Sequence, residues 1–214
     1  IVGSNRPRLS ATMLAAQSLG AVPIPLYQDA AAAECVFPIN NADVAFAFAE
    51  DQEQVDKLLE IRELCPLLNH IIYDEPRGLR NYQESGLLWL DQLIENGAAF
   101  AAKQPGFFSA QVEQGQTDEV AAMFFTSGTT GNPKGVLYNH RSAVMMAYTA
   151  ALPDAVNLSA NDGVLPIVPM FHVNAWGLPF AAVLVGAKLV FPGPRLSAPE
   201  VLADLITGEG VTIS

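Results

Sequence analysis

Short apolar, β-branched runs alternate along this chain with longer segments whose apolar positions recur at helical spacing. The first kind of run is typical of buried strands and the second of amphipathic helices. In the segment 52–64, for example, Val55, Leu58 and Leu59 fall on one helical face and charged residues fall on the other. Because strands that alternate with helices build layered sheets, the pattern predicts an α/β fold with mostly parallel strands.

The expected elements divide the chain into two parts and a connector. We predict a first α/β part at 1–102, a polar connecting loop without periodicity at 103–118, and a second α/β part at 119–214. Gly97 is expected to end a helix, and Pro38 is expected to end another because proline lacks an N–H group and crowds the preceding turn. The predicted strands are 1–3, 44–49, 70–73, 121–126, 135–138, 188–191 and 211–214, and the predicted helices are 9–19, 52–64, 87–95, 141–151, 175–185 and 198–207.

Composition narrows the class of protein. Half of the 214 residues are hydrophobic, which excludes a disordered chain, and 22 acidic against 11 basic residues argue against a nucleic-acid binder. Cys35 and Cys65 are too few for a disulfide framework, so a reducing, cytoplasmic location is expected. The most apolar stretch, 164–187, contains prolines, a histidine and an asparagine and does not read as a membrane span. The chain begins and ends inside predicted strands, so we expect a piece of a longer protein.

A loop rich in glycine and hydroxyl residues follows the apolar strand at 121–126. A polyphosphate is bound by converging backbone N–H groups, by hydroxyl donors and by a mobile cation. Gly128 and Gly131 lack the Cβ atoms that would block that approach, and Lys134 brings the charge. The candidate phosphate-binding residues are Thr126, Ser127, Gly128, Thr129, Thr130, Gly131 and Lys134.

Three other interpretations of this loop are weaker. A Walker A loop fails because Pro133 and Gly135 occupy the positions at which that motif requires Gly and Ser or Thr. A serine-hydrolase elbow fails because Phe125 and Thr129 flank Ser127 where glycines are required. An ordinary turn is common for such a composition, but Lys134 and the preceding buried strand favour phosphate binding.

These residues resemble the adenylate-forming superfamily, which includes acyl-CoA synthetases, aryl-CoA ligases, luciferases and adenylation domains of peptide synthetases. The eleven residues FTSGTTGNPKG, Phe125 to Gly135, meet every position of that family's phosphate-loop signature. The segments GSNRP at 3–7, LGAVPIPLY at 19–27 and PMFHVNAWG at 169–177 are similar to segments of fatty acyl-CoA synthetases, in the same order. The resemblance covers nearly the whole chain.

The resemblance implies a two-step reaction. A carboxylate attacks the α-phosphate of ATP to give an acyl-adenylate, and coenzyme A then displaces AMP to form a thioester. The loop would hold the β- and γ-phosphates, and Thr126 would also help to place Mg²⁺. ATP, Mg²⁺ and coenzyme A are therefore the expected cofactors, and a fatty acid is the expected substrate. The family's later motifs lie beyond residue 214, so this fragment alone is expected to be inactive.

His172 and Trp176 form the second candidate constellation, because residues four apart share one face of a helix. Spacing alone favours ordinary core packing for both. In the similar synthetases the matching histidine and tryptophan border the acyl site, and the tryptophan gates it, so the resemblance implies an acyl pocket here. A metal site formed by His70, His140 and His172 is not supported by their spacing.

Several alternatives stay open at this stage. The parent could load a carrier protein, activate an aryl acid, or be a catalytically silent homologue that binds nucleotide. The two parts of the chain resemble different branches of the family, which leaves the acyl chain length open. Peripheral membrane association and a homodimeric parent are also compatible with the sequence.

Overall fold

The computed structural model of the chain describes residues 1–126, 132–195 and 198–214. Within them the helices are α1 Pro7–Ser18, α2 Ala32–Asn41, α3 Gln52–Glu60, α4 Leu90–Lys103, α5 Phe107–Gln114, α6 His140–Ala151, α7 Val173–Val185 and α8 Pro199–Gly208. The strands are β1 Phe46–Ala49, β2 His70–Tyr73, β3 Leu87–Trp89, β4 Val120–Phe125, β5 Gly135–Asn139, β6 Gly163–Val164 and β7 Lys188–Leu189. Short 3₁₀ turns occupy Arg62–Leu64 and Gly193–Arg195.

Strands β1, β2 and β3 form a parallel sheet in that order, and Val2 extends it on the β1 side. The Val2 N–H donates to the Phe48 carbonyl at 2.8 Å, and the Glu50 N–H donates to the Val2 carbonyl at 3.0 Å. The N-terminal segment is therefore attached directly to β1.

Both faces of this sheet are covered, as is usual for parallel strands. Ala47 and Ala49 point into a core shared with α2 and α3, whereas Phe48 points to the opposite face and packs with Leu9 and Met13 of α1. Alternate residues of one strand thus bury against different helices, because side chains alternate along a strand.

The second part contains two smaller sheets. Strands β4 and β5 pair antiparallel as a hairpin, and β6 pairs parallel with β7. Helices α6 and α7 pack together through Ala147 and Ala150 on one side and Ala181 and Ala182 on the other. Small side chains let the two helix backbones approach closely. The mixed helices and mostly parallel strands confirm the predicted α/β class, with the hairpin as its antiparallel exception.

Four local predictions are wrong. Residues 87–89 form a strand instead of the start of a helix, because they pair with β2. Helix α4 continues through Gly97 to Lys103, and α5 occupies 107–114 of the segment that was expected to be a loop. Pro38 lies inside α2 without ending it. Its neighbours Cys35 and Ile39 are buried in the core, and that burial outweighs a local penalty of about 3 kcal/mol.

The division into two parts stays a prediction, although the parts share buried contacts. Met170, which lies between β6 and α7, packs in one cluster with Leu9, Met13 and Phe48 of the first part. Among the described residues, no helix is long and apolar enough to cross a membrane.

A core substitution in the central strand β2 tests this sheet. Ile71 is 2% exposed and lies between β1 and β3. We expect Ile71→Ala to lower the free energy of unfolding by about 2–5 kcal/mol, because it removes buried methyl groups and leaves a cavity. The control is Leu64→Ala, at a position that is 61% exposed. Urea unfolding of both variants is the measurement, and similar losses for the two would contradict the assigned core.

Candidate functional site

Two hydrogen bonds close the hairpin immediately below the glycine-rich loop. The Thr126 N–H donates to the Lys134 carbonyl at 3.0 Å, and the Lys134 N–H donates to the Thr126 hydroxyl at 3.1 Å. They continue the β4–β5 ladder one step beyond the Phe125–Gly135 pair. The first and last candidate phosphate ligands are therefore held side by side.

Lys134 is exposed, so its ammonium group is accessible at the end of the hairpin. The predicted ligands Ser127, Gly128, Thr129, Thr130 and Gly131 lie outside the described residues. The described part of the site is thus the Thr126 hydroxyl and the Lys134 ammonium group at the end of the β4–β5 hairpin, which we call the hairpin stem. This pairing suits an anionic ligand, because a lysine contributes a mobile point charge with three donors.

The stem is bound to the rest of the molecule along β4. The Gln17 side chain donates to the Ala121 carbonyl at 2.8 Å, and the Met123 N–H donates to the Pro23 carbonyl at 3.2 Å. Both partners belong to the first part of the chain. The loop therefore starts from a strand that is anchored on α1 and on the extended segment after it.

The strand β5 leads directly into α6. The Asn139 side chain caps that helix by accepting from the Ser142 N–H at 2.8 Å. Arg141 forms a two-pronged ion pair with Asp118, with distances of 2.9 and 3.1 Å. This guanidinium lowers the pKa of the Asp118 carboxyl below its ordinary value. His140 and Arg141 thus form the start of α6, and Arg141 is engaged in an ion pair.

Trp176 lies at the centre of an aromatic cluster on α7. It is 3% exposed and stacks on Phe124 of β4 with ring centroids 4.7 Å apart and an interplanar angle of 30°. Tyr138 of β5 lies at the same centroid distance, and Phe180 of α7 lies edge-on at 6.0 Å. The cluster joins α7 to both strands of the hairpin, two residues before Thr126.

His172 and Trp176 lie in different environments, although they are four residues apart. Helix α7 begins at Val173, so His172 precedes it, and the His172 side chain is exposed whereas that of Trp176 is buried. The two remain linked through the backbone, because the Trp176 N–H donates to the His172 carbonyl at 3.2 Å. The burial of Trp176 agrees with ordinary core packing, and its role as a gate stays a prediction.

An apolar cavity of about 100 Å³ lies between α1, α7 and β7. Its walls come from the first part of the chain, from the segment that precedes His172 and from α7. The residues lining it include Met13, Leu14, Met170, Pro179, Phe180 and Val183. Hydrocarbon is the chemistry that such walls accept.

The chemistry of the described loop residues can be compared with the needs of Mg²⁺. This ion prefers hard oxygen ligands and keeps several waters. The Thr126 hydroxyl is such an oxygen, it lies at an exposed position, and the bond from Lys134 uses only part of its hydrogen-bonding capacity. The Thr126 hydroxyl therefore meets the chemical requirement for one oxygen ligand of a magnesium ion.

Phe124 and Tyr138 were not singled out from the sequence, although they fix the hairpin against α7. The signal that could have found Phe124 is the period-two alternation of β4, which places Ala122 and Phe124 on the same buried face. The sequence does not show which helix covers that face. Only the packing of Trp176 identifies it.

The comparisons with known proteins agree with this geometry. The profile of the family described as AMP-binding enzyme matches residues 1–214. A medium-chain-fatty-acid–CoA ligase of Ectopseudomonas oleovorans is 49% identical over 133 residues, which are 57% of this chain and 24% of that protein. A long-chain-fatty-acid–CoA ligase of Thermus thermophilus is 60% identical over 92 residues, 43% of this chain and 17% of that protein.

A solved structure shows the same architecture. The inhibitor-bound N-terminal domain of FACL13 from Mycobacterium tuberculosis aligns with a TM-score of 0.67 at 25% identity, over 98% of this chain and 47% of that one. The chain thus matches about a quarter or less of the two ligases and about half of this domain.

The two tryptophans offer a matched test of the aromatic cluster. We expect Trp176→Ala to lower the free energy of unfolding by about 3–5 kcal/mol, because it removes a buried ring and the contacts of that ring with its aromatic neighbours. Trp89 is 38% exposed, so Trp89→Ala should have a much smaller effect. Denaturant titration of both variants measures the difference, and equal destabilisation would show that Trp176 is not the packing centre.

Proposed function

This chain belongs to the AMP-binding enzyme family, and from that we propose that it is part of an AMP-forming fatty acid–CoA ligase. The reaction would activate a fatty acid with ATP to an acyl-adenylate and then transfer the acyl group to coenzyme A. In the first step the carboxylate oxygen bonds to the α-phosphorus and pyrophosphate leaves. In the second step the thiol of coenzyme A loses its proton, its sulfur bonds to the acyl carbon, and the bond from that carbon to the AMP oxygen breaks so that AMP leaves.

The hairpin stem is the observation that carries this proposal. Thr126 and Lys134 are paired at the base of a loop that matches the family signature at every position. In the proposed complex, Lys134 and the hydroxyl residues between the two strands hold the β- and γ-phosphates. The protein then contributes position and charge stabilisation, as in other phosphoryl-transfer sites, and supplies no nucleophile of its own.

Magnesium would be held in part by the Thr126 hydroxyl. When bound with ATP, the ion neutralises phosphate charge. Lys134 adds a further positive charge from the neighbouring strand, at the same end of the stem. The two residues therefore address one anionic ligand from adjacent positions.

The acid is proposed to be a medium- to long-chain fatty acid. The relatives that match this chain at 49% and 60% identity are ligases for medium-chain and long-chain fatty acids. The apolar cavity beside Met170 and Phe180 supports hydrocarbon binding, and no Lys or Arg occurs between Arg141 and Lys188 to recognise a second anionic group. His172 and Trp176 would then border the acyl pocket.

The thiols support a reducing, cytoplasmic site of action. Cys35 and Cys65 are both free and buried, and burial raises the pKa of each thiol. Neither cysteine is therefore poised as a thiolate at neutral pH.

Replacement of the loop lysine tests the nucleotide role. In the full-length protein we expect Lys134→Ala to reduce ATP-dependent adenylation by roughly 5- to 150-fold, equivalent to the 1–3 kcal/mol of a charge-assisted hydrogen bond. Lys103→Ala, at the exposed end of α4, is the control and should leave the rate unchanged. Pyrophosphate exchange measures both, and an unchanged rate in Lys134→Ala would remove the assigned role.

Acids of graded length test the substrate class. We expect kcat/KM to rise with each added CH₂ up to a plateau, since each buried CH₂ contributes about 0.8 kcal/mol until the pocket is full. Thioester formation by the full-length protein is the measurement, with acetate as the short reference. A maximum at an aryl acid would favour an aryl-CoA ligase. Adenylation without transfer to coenzyme A would favour a carrier-loading domain, and no adenylation at all a silent homologue.

A further inference from the structure

Asn5 is a buried polar residue between Val2, which pairs with β1, and the start of α1 at Pro7. Its side chain is almost wholly enclosed, with 1% of the residue exposed. The carboxamide nitrogen donates to the Pro166 carbonyl at 2.6 Å and to the Val168 carbonyl at 2.9 Å. The carboxamide oxygen accepts from the Met170 N–H at 2.9 Å. One side chain thus pairs three backbone groups of a segment more than 160 residues away.

These partners determine the orientation of the carboxamide. Two carbonyl oxygens require N–H donors, and the Met170 N–H requires an oxygen acceptor. A flipped carboxamide would place an amino group against an N–H group and an oxygen against two carbonyls. Asn5 is therefore matched in shape and in donor pattern to the segment 166–170. A buried backbone group that loses such a partner carries a desolvation penalty.

The position of Asn5 is itself fixed by contacts of its chain neighbours with Glu50. The Ser4 N–H and the Arg6 guanidinium both contact the buried carboxylate of Glu50, directly after β1. Gly3 makes room for that side chain, since a Cβ atom at position 3 would lie 2.8 Å from the Glu50 Cβ. The Asn5 carbonyl also accepts from the Gly193 N–H at 3.2 Å. Asn5 is thus attached to the parallel sheet and reaches into the second part of the chain.

The segment that Asn5 holds leads directly to the proposed acyl site. Met170 is 3% exposed and lines the apolar cavity between α1 and α7. The Pro169 carbonyl accepts from the His172 N–H at 2.9 Å, and the His172 carbonyl accepts from the Trp176 N–H. A shift of 166–170 would therefore move a wall of the cavity and the first turn of α7 together.

We propose that Asn5 is a positioning residue for acid recognition. Its carboxamide holds the segment 166–170 in the conformation that shapes the apolar cavity and presents His172 and Trp176. It touches no substrate and acts through Met170 and the backbone. The proposal rests on the proposed function only for the identity of the ligand, because the hydrogen bonds to the segment exist independently of the reaction.

Hydrogen exchange on the full-length protein tests the structural half of this proposal without any assay of activity. In Asn5→Ala we expect the amides of 168–176 to exchange at least about fivefold faster than in the parent, because the backbone groups lose their buried partner. Asn40→Ala is the matched control. The exposed Asn40 also donates to a backbone carbonyl, that of Leu64 at 2.8 Å, at a distant place in the sequence. Exchange at 168–176 should not change in that control.

Steady-state kinetics test the functional half. We expect Asn5→Ala to raise the KM for the acid by about fivefold or more and to flatten the chain-length profile, with the KM for ATP altered by less than about twofold. Asn40→Ala should change neither. Should Asn5→Ala fail to fold, Asn5→Ser, which keeps a small polar group, is measured in its place with the same expected outcomes.

Hydrogen exchange and steady-state kinetics together distinguish a failure of the Asn5 proposal from a failure of the proposed function. Unchanged exchange at 168–176 in a folded Asn5 variant overturns the proposal. An equal decrease in kcat/KM for ATP and for the acid also overturns the proposal, because a general loss of folded protein would produce that result. If the parent forms no acyl-CoA, the proposed function fails, whereas faster exchange at 168–176 would still support Asn5 as the residue that positions the segment.

Discussion

The pairing of Thr126 with Lys134 is the interaction on which the candidate site depends. A polyphosphate site needs its cation and its hydroxyl donors at fixed positions before the ligand arrives, since ordering them during binding would consume binding free energy. Here two hydrogen bonds at 3.0 and 3.1 Å hold the ends of the loop together. The surrounding packing keeps this hairpin in place.

Two connections transmit that order to the rest of the molecule. On one side Phe124 and Tyr138 pack against Trp176, so that α7 is oriented by the same strands that lead into the glycine-rich loop. On the other side Asn5 ties the residues before α7 to the parallel sheet. The strands that lead into the glycine-rich loop and the segment that lines the apolar cavity are thus both connected to α7.

Sequence reasoning was most accurate where local chemistry decides the outcome. The strands at β2 and β4 and the helix α6 lie within a residue or two of their predicted bounds. Sequence reasoning failed where contacts with a distant segment decide the secondary structure. Residues 87–89 have the composition of a helix but become a strand beside β2, and Pro38 is carried inside α2 by the burial of Ile39. In both cases tertiary contacts outweigh a local preference of a few kcal/mol.

The sequence by itself determined the α/β class, the glycine-rich loop with its lysine, and the family to which the chain belongs. These properties depend on residue types and spacings within short segments. Only the tertiary structure decided that Trp176 is enclosed while His172 is exposed, and that Asn5 spans to Pro166, Val168 and Met170. The reason is that a side chain's partners are set by how distant segments pack, and a donor can be satisfied by any carbonyl that the fold brings within reach.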